Sequence, residues 1–270
     1  LQDRHPEFIM LINEMVKRGQ IEVLGGSYYD TVLPLVPSND RSAQIEALTT
    51  LVRRRFGKRP RGAWITELVW EPGMPSSLRR SGMEYVFLAD SHFAGSGLRG
   101  AELLEPAITE DQGKTLLVFP VSAEISLFPF RSDPKHIIDR ISGSASDSGR
   151  RVVSLIADGE CFGYWNGSNR TLYDDGWLTE FLEGLRAAKN TIVTTHPRRL
   201  WKQDGEHRKR YFSVTSCDDM MKWSLPASRR REFERLQNGR LSKSSRTFLQ
   251  GGHFRQFLSK YPEANLMYAK

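Results

Sequence analysis

Residues 64–72 read WITELVWEP and set Glu67 between Trp64 and Trp70. A short apolar run after the turn-like GKRPRG at 57–62 predicts a buried strand. Burying an unpaired carboxylate costs on the order of several kcal/mol, so Glu67 is expected either to be paired or to work. A second group lies in LIADGECFGYWNG, residues 155–167, where Asp158 and Glu160 accompany Phe162, Tyr164 and Trp165. Sugar rings offer apolar C–H faces to aromatic side chains, and their hydroxyls need acceptors, so such groupings suit carbohydrate. Cleaving a glycosidic bond takes two carboxyl groups in different environments, one nucleophilic and one holding a proton near neutral pH. Glu67 and Asp158 are the candidate pair. Plainer readings stand beside this one. Trp64 and Trp70 at strand spacing suit a core, Asp158-Gly159 suits a simple turn, and Cys161 reads as a packed thiol.

The elements that must position these residues alternate. PEFIMLINEMVKRG predicts a helix with Phe8, Leu11, Ile12 and Met15 on one stripe, and IEVLGGSYYD a strand. SNDRSAQIEALTTLVRRRFG predicts a helix with an N-cap at Ser38 or Asn39 and apolar Ile45, Leu48 and Leu51, followed by the strand AWITE. A short helix over 76–81, the strands EYVFLAD and LLVFPVS, the helix PKHIIDRIS, the strand VVSLIADGE, the helix GWLTEFLEGLRAAK and the strand TIVTTH complete the series. Strands alternating with helices imply a mainly parallel sheet, open or closed into a barrel. Their C-terminal ends carry Asp30, Glu67, Asp90 with His92, Asp158 with Glu160, and His196, at the edge where α/β folds build sites. As isolated histidines, His92 and His196 read more naturally as hydrogen-bonded structural residues than as metal ligands. Five or six strands are fewer than a full barrel needs, and with a first residue other than Met the sequence reads as a fragment whose first strands are missing. Residues 1–200 are expected to form that partial barrel and 201–270 a helical extension packed on it.

Composition narrows the class. Of 270 residues 39% are apolar and 10% aromatic, which suits a globular core. The two cysteines, Cys161 and Cys217, form neither a disulfide framework nor a zinc motif and fit a reducing, cytoplasmic compartment. No apolar run has the length of a membrane helix, and the first residues lack signal-peptide patterning. Phosphate-loop motifs are absent, so no nucleotide cofactor is expected. The net charge of +7 is local: residues 197–260 hold 16 basic and 6 acidic residues. RKR at 208–210 and SRRREFER at 228–235 could meet phosphates, but interspersed acids favour a solvated face.

Several segments together resemble glycoside hydrolase family 57, the retaining α-glucan enzymes that include 4-α-glucanotransferases and α-amylases. WITELVWEP resembles the family's W-x-x-E-R-V-W-x-P strand, IADGECFGYWNG its D-G-E-K-F-G-x-W segment, and GQIEVLGGSYYDTVLPLVPSNDR its G-Q-V-E-x-x-x-x-G-x-Y-E-P-x-L segment. YVFLADSHF, MKWSLPA and GGHFRQFLSKYPEANLMY extend the likeness along essentially the whole chain. The resemblance implies an incomplete barrel of the (β/α)7 type, with Glu67 as nucleophile and Asp158 as general acid/base. It implies Asp30, Trp64, Trp70, Asp90, His92, Glu160, Trp165 and Trp223 as substrate contacts. An α-glucan or malto-oligosaccharide substrate is expected, with no essential metal or organic cofactor, no nucleic acid and no membrane; a homodimer is left open. A retaining mechanism would set the two carboxyl groups roughly 5 Å apart.

Departures from the pattern are Leu68 for a usual Arg, Cys161 for a usual Lys, and Asp30 for a usual Glu. The family's N-terminal His-Gln-Pro strand, whose histidine lines the same pocket, is absent from the sequence, so these residues alone are expected to fold poorly or to be inactive. Two other classes compete with the enzyme: a catalytically impaired glucan-binding relative that keeps the aromatic platforms, and a nucleic-acid binder using the basic C-terminal region.

Overall fold

The computed structural model describes residues 3–122, 132–201, 207–216, 218–238 and 253–269. Cys217 and the Gly-Gly that opens the 251–268 segment lie outside them, as do parts of the expected helical extension. The fold is α/β: one mixed sheet in the order β1-β2-β4-β3-β5, with helices packed around it. β1 (Gly62–Ala63), β2 (Tyr85–Ala89) and β4 (Lys114–Val121) run parallel, with Ala63 beside Val86 and Phe87 beside Phe119. β3 (Ala107–Asp111) turns back on β4 through Gln112-Gly113, and the two-residue β5 (Arg208–Lys209) pairs parallel with β3.

The parallel run continues past these strands as single bridges. Gly25 pairs with Ala63 beyond β1, and Val121 with Ser154 beyond β4, both parallel. The expected strands at 21–30 and 152–160 are thus each reduced to one bridge, and the expected strand at 191–196 does not form: Val193 is 81% exposed there. An apolar, β-branched stretch acquires strand geometry only when a neighbour accepts its hydrogen bonds, and residues 191–196 have no such neighbour among the described residues. The hairpin β3–β4 and the strand β5 were not expected from the sequence, and Arg208–Lys209, inside the expected helical extension, pair with the sheet edge.

The helices follow their patterns more closely. α1 (Pro6–Lys17) and α2 (Ser38–Phe56) span the expected residues, but α1 buries Val16 and leaves Phe8 and Leu11 of the expected stripe exposed; α2 is capped by Pro37 rather than Ser38 or Asn39, buries Ile45, Thr49 and Val52 while Leu51 is exposed, and ends at Gly57 in the left-handed region. α3 (Met74–Arg80) and α4 (Asp90–Gly95) flank β2. α5 (Pro134–Gly143) begins at Asp133, whose carboxylate accepts the Lys135 N–H at 2.7 Å. It packs with α6 (Trp177–Ala187) around Ile137, Ile138, Leu172 and Phe181. Short helices follow: α7 (Pro197–Trp201), α8 (Asp218–Trp223), α9 (Ala227–Asn238), α10 (Gln256–Lys260) and α11 (Pro262–Ala269).

Both faces of the sheet are apolar, which explains why β2 reads as a continuous apolar run rather than an alternating one. Val86 and Leu88 face the cluster containing Ile45, Ile65, Trp70, Met74 and Leu78. Tyr85 and Phe87 face the opposite way, onto Leu117, Phe119 and Val121, with Leu24, Trp64, Val152 and Ile156 packed against them. Gly62 is required between β1 and β2, because a Cβ there would stand 2.0 Å from the Tyr85 ring.

Candidate active site

Each parallel segment ends by delivering acidic residues to one edge of the sheet. Asp30 follows the Gly25 segment, Glu67 follows β1, Asp90 with His92 follows β2, and Asp158 with Glu160 follows the Ser154 segment. Parallel pairing puts all of these C-terminal ends on the same side, where irregular backbone can converge without breaking the ladder.

Glu67 lies in a 3-10 turn, Thr66–Leu68, and both Glu67 (φ 56°) and Leu68 (φ 50°) adopt left-handed backbone. This corrects the expectation of a buried strand carboxylate. Ile65, Val69 and Trp70 are fully buried, but the turn rotates Glu67 outward, so its carboxylate is exposed. Two consecutive non-glycine residues in that region cost on the order of 1–3 kcal/mol each and persist only when surroundings impose them. The Leu68 N–H donates to Ile65 O at 3.0 Å, and the Val69 N–H to Thr66 O at 3.4 Å. Thr66 donates its hydroxyl to Asp30 Oδ1 at 2.8 Å, and Asp30 is itself left-handed, at φ 53°. Gly26 clears the way: with φ 153° it passes so close to Trp64 O that a Cβ would lie 2.6 Å from it.

His92 completes the turn from below. Its Nε2–H donates to Leu68 O at 2.8 Å, and the side chain is 1% exposed. Burial holds its pKa down to about 4, partly offset by the backbone carbonyls of Leu68 and Ala89 and reinforced by the charge of nearby His253. The ring is therefore neutral at physiological pH, with its proton on Nε2. The expectation that His92 touches substrate is corrected: an almost fully buried ring held beneath the turn presents no surface to a sugar.

Trp70 is corrected for the same reason. It is fully buried, donates Nε1–H to Phe212 O at 3.3 Å and packs edge-on against the Phe212 ring, so the core reading of this tryptophan holds. Its backbone forms a two-way bridge with Thr215, N–H to O at 2.8 Å and 3.2 Å. Trp64 is half-buried against Tyr85 and Phe87 and keeps a partly open face.

Asp158 and Glu160 sit on a different kind of support, a 3-10 turn at Gly159–Phe162 whose backbone bonds are local and whose Phe162 O accepts the Tyr173 hydroxyl at 3.1 Å. The Cys161 N–H and thiol both reach Asp158 O, the thiol at 2.7 Å, while the N–H groups of Tyr164 and Trp165 reach Glu160 O. Burial pushes the Cys161 thiol up, and the Asp158 and Glu160 charges add to this, so Cys161 is a packed, protonated thiol. Asp158 and Glu160 are exposed, as are Tyr164 at 86% and Trp165 at 38%. Trp223 is also exposed, with the Arg230 guanidinium 4.5 Å above its ring. One face of that ring is covered. Asp90 opens α4 and is half-buried. His196 is not part of this edge: its ring donates to Gly19 O at 2.9 Å, at the start of the first parallel segment.

The C-terminal segment supplies contacts that the sequence did not reveal. Arg255 pairs with Glu71 at 2.6 Å and also donates to Pro34 O, and the Phe254 N–H reaches Ser216 Oγ at 3.1 Å. It ties the loop after Asp30 to the loop after Glu67. Nothing local to 253–255 marks it for that role, because its partners lie some 40 to 220 residues away in the chain.

With this geometry in place, comparison with known proteins is informative. The model of glycosyl hydrolase family 57 matches residues 1–216. The chain belongs to that family. It is 34% identical over 275 residues to the 4-alpha-glucanotransferase of Thermococcus litoralis, spanning 100% of this chain and 41% of that protein. Alpha-amylase 1 of Dictyoglomus thermophilum is 34% identical over 278 residues, spanning 100% of this chain and 40% of the relative. The crystal structure of the T. litoralis enzyme superposes with a TM-score of 0.88 at 33% identity, covering 99% of this chain and 42% of that one. The α-amylase AmyC of Thermotoga maritima, at 13% identity and a TM-score of 0.59 over 99% of this chain and 73% of its own, shares the fold. The chain thus spans about two fifths of the length of the curated relatives it matches. Among the described residues no group of three or more metal-binding side chains occurs, and no helix is long and apolar enough to cross a membrane.

Proposed function

We propose that this family 57 chain carries the catalytic centre of a retaining α-1,4-glucan-active enzyme, a 4-α-glucanotransferase or α-amylase, with Glu67 as nucleophile and Asp158 as general acid/base. The observation that carries the reading is the strained turn presenting an exposed Glu67 at the edge where the Asp30, Asp90 and Asp158 loops also end. In the first step the Glu67 carboxylate attacks the anomeric carbon as the glycosidic C–O bond breaks, and Asp158 gives its proton to the leaving oxygen. In the second, an acceptor oxygen attacks that carbon, the bond to Glu67 breaks, and Asp158 takes the acceptor's proton. Water as acceptor gives hydrolysis; a glucan hydroxyl gives transfer. Asp30, Trp64, Asp90, Glu160, Trp165 and the open face of Trp223 are assigned to substrate, and Trp70 and His92 are not.

A (β/α)7-type barrel is proposed for the intact fold. Its support is the cluster of Leu24, Trp64, Phe87, Phe119 and Ile156, in which side chains from successive parallel segments meet one another on the face away from α2 and α3, as strands curving around an interior do. The deciding experiment incubates the protein with maltopentaose and resolves products over time beside Glu67→Gln. Longer and shorter oligosaccharides appearing together, and lost in the variant, mean transfer; short products alone mean hydrolysis. No turnover from a folded protein that still binds maltopentaose would favour the binding-only relative, a reading to which the exchange of a usual Lys for buried Cys161 gives some support.

A further inference from the structure

We infer that His92 is a positioning residue: through Leu68 O it locks the left-handed turn that aims Glu67, and it does not bind sugar. The inference rests on the role proposed for Glu67 and adds how the fold holds that residue. Three observations combine. The turn is strained at two successive non-glycine residues, Glu67 and Leu68. The carbonyl between Leu68 and Val69 receives the His92 Nε2–H at 2.8 Å from a ring that is 1% exposed. β2 fixes the ring in turn, because His92 lies three residues past Ala89, inside α4, with Phe93 buried beside it in the main core.

A left-handed pair of residues relaxes unless its peptide planes are held. The plane after Glu67 carries the Leu68 N–H, which bonds Ile65 O at 3.0 Å, and the plane after Leu68 is the one whose oxygen His92 grips. Releasing that oxygen lets residues 67–69 return towards extended backbone, and the alternation of an extended strand would carry the Glu67 side chain away from its present direction. Thr66, bonded to Asp30 Oδ1, anchors the other side of the turn, so His92 and Asp30 hold it from opposite sides. A neutral imidazole suits the task. One ring proton is enough, and in a buried position the neutral form spares the turn a charge next to a nucleophilic carboxylate.

The test compares His92→Leu with His92→Gln, whose amide nitrogen can reach the same carbonyl. In His92→Leu, kcat on maltopentaose is expected to fall roughly 10- to 100-fold with KM within about threefold, because misplacing a reacting group by about an ångström has that effect. His92→Gln should recover most of the loss. Amide exchange gives a second readout independent of turnover: the Leu68 and Val69 N–H groups should exchange about tenfold faster or more in His92→Leu, while amides of β2 keep their protection. A rise in KM at unchanged kcat would make His92 a substrate contact and overturn the proposal. So would unchanged exchange at Leu68 and Val69, or a Gln variant no better than Leu. If the wild-type protein lacks glucan turnover, the assignment of Glu67 has failed, and the exchange comparison still decides whether His92 locks the turn.

Discussion

The two turns that carry the candidate acids are built in contrasting ways. The Glu67 turn adds long-range contacts to its two local backbone bonds: His92 from the next parallel unit, Asp30 from the previous one, and an isolated bridge between Trp70 and Thr215. The Asp158 turn is held by bonds from within its own loop, Cys161 to Asp158, Trp165 to Glu160 and the Tyr173 hydroxyl to Phe162 O. Long-range bracing fixes a direction at the cost of backbone strain; local bracing fixes a turn but lets it move as a unit on its flanking segments. That difference fits the roles proposed. A nucleophile that must meet one carbon gains most from preorganisation, whereas a proton carrier that serves first a leaving group and then an acceptor tolerates adjustment.

The contrast can be broken most severely at the carboxylates themselves. Glu67→Gln preserves size and removes the proposed nucleophile, and turnover is expected to fall to background; Asp158→Asn should cost roughly 10²- to 10⁴-fold. The check is initial-rate assay on maltopentaose, and a Glu67→Gln protein with wild-type rates would remove the basis of the comparison. Next in size is Trp70→Ala. It empties a fully buried site beneath the Glu67 turn, with an expected loss of about 3–5 kcal/mol in denaturant unfolding. Trp165→Ala, at an exposed position in the other turn, should stay within about 0.5 kcal/mol. Equal losses at the two tryptophans would erase the distinction.

The third prediction concerns pH. His92 titrates near 4 when folded against an ordinary value of 6.5. Between those values the unfolded chain binds the extra proton, so stability is full above about pH 6.5 and falls as the pH drops towards 4. The loss amounts to about 3 kcal/mol. His253, whose pKa burial also lowers, adds in the same direction. Unfolding titrations of wild type and His92→Gln should run parallel above about pH 6.5 and below about pH 4 and differ in slope between those values; parallel curves throughout would deny His92 its buried neutral state. The smallest effect is expected from Arg255→Ala. Its partner Glu71 is partly exposed, and such pairs are worth about 0.2–1 kcal/mol. A double-mutant cycle with Glu71→Gln measures it.

Much of the candidate site is marked in the sequence by local patterns. Glu67 among tryptophans, Asp158 beside Glu160 in an aromatic segment, and acids at the ends of successive apolar runs are all short-range patterns, and the amphipathic helices declare themselves by spacing. Residues 191–196 show where such reading stops. Their apolar, β-branched composition suits a strand, yet strand geometry needs a paired neighbour, which composition cannot supply. The two-residue β5 was invisible for the converse reason: Arg208 and Lys209 carry no strand pattern and are enlisted by the open edge of β3.

The sequence alone determined the family, the α/β class, most helices and which carboxylates could act, since each of these rests on residue types and near-neighbour spacing. Tertiary structure decided which tryptophan is core, that Glu67 faces outward from a left-handed turn, and that His92 lies beneath that turn. These depend on contacts between residues such as Asp30 and Thr66, or His92 and Leu68, that lie 36 and 24 positions apart and meet only when parallel segments align their ends. A carboxylate's identity is written in the chain; its direction is set by the neighbours that hold the peptide planes around it.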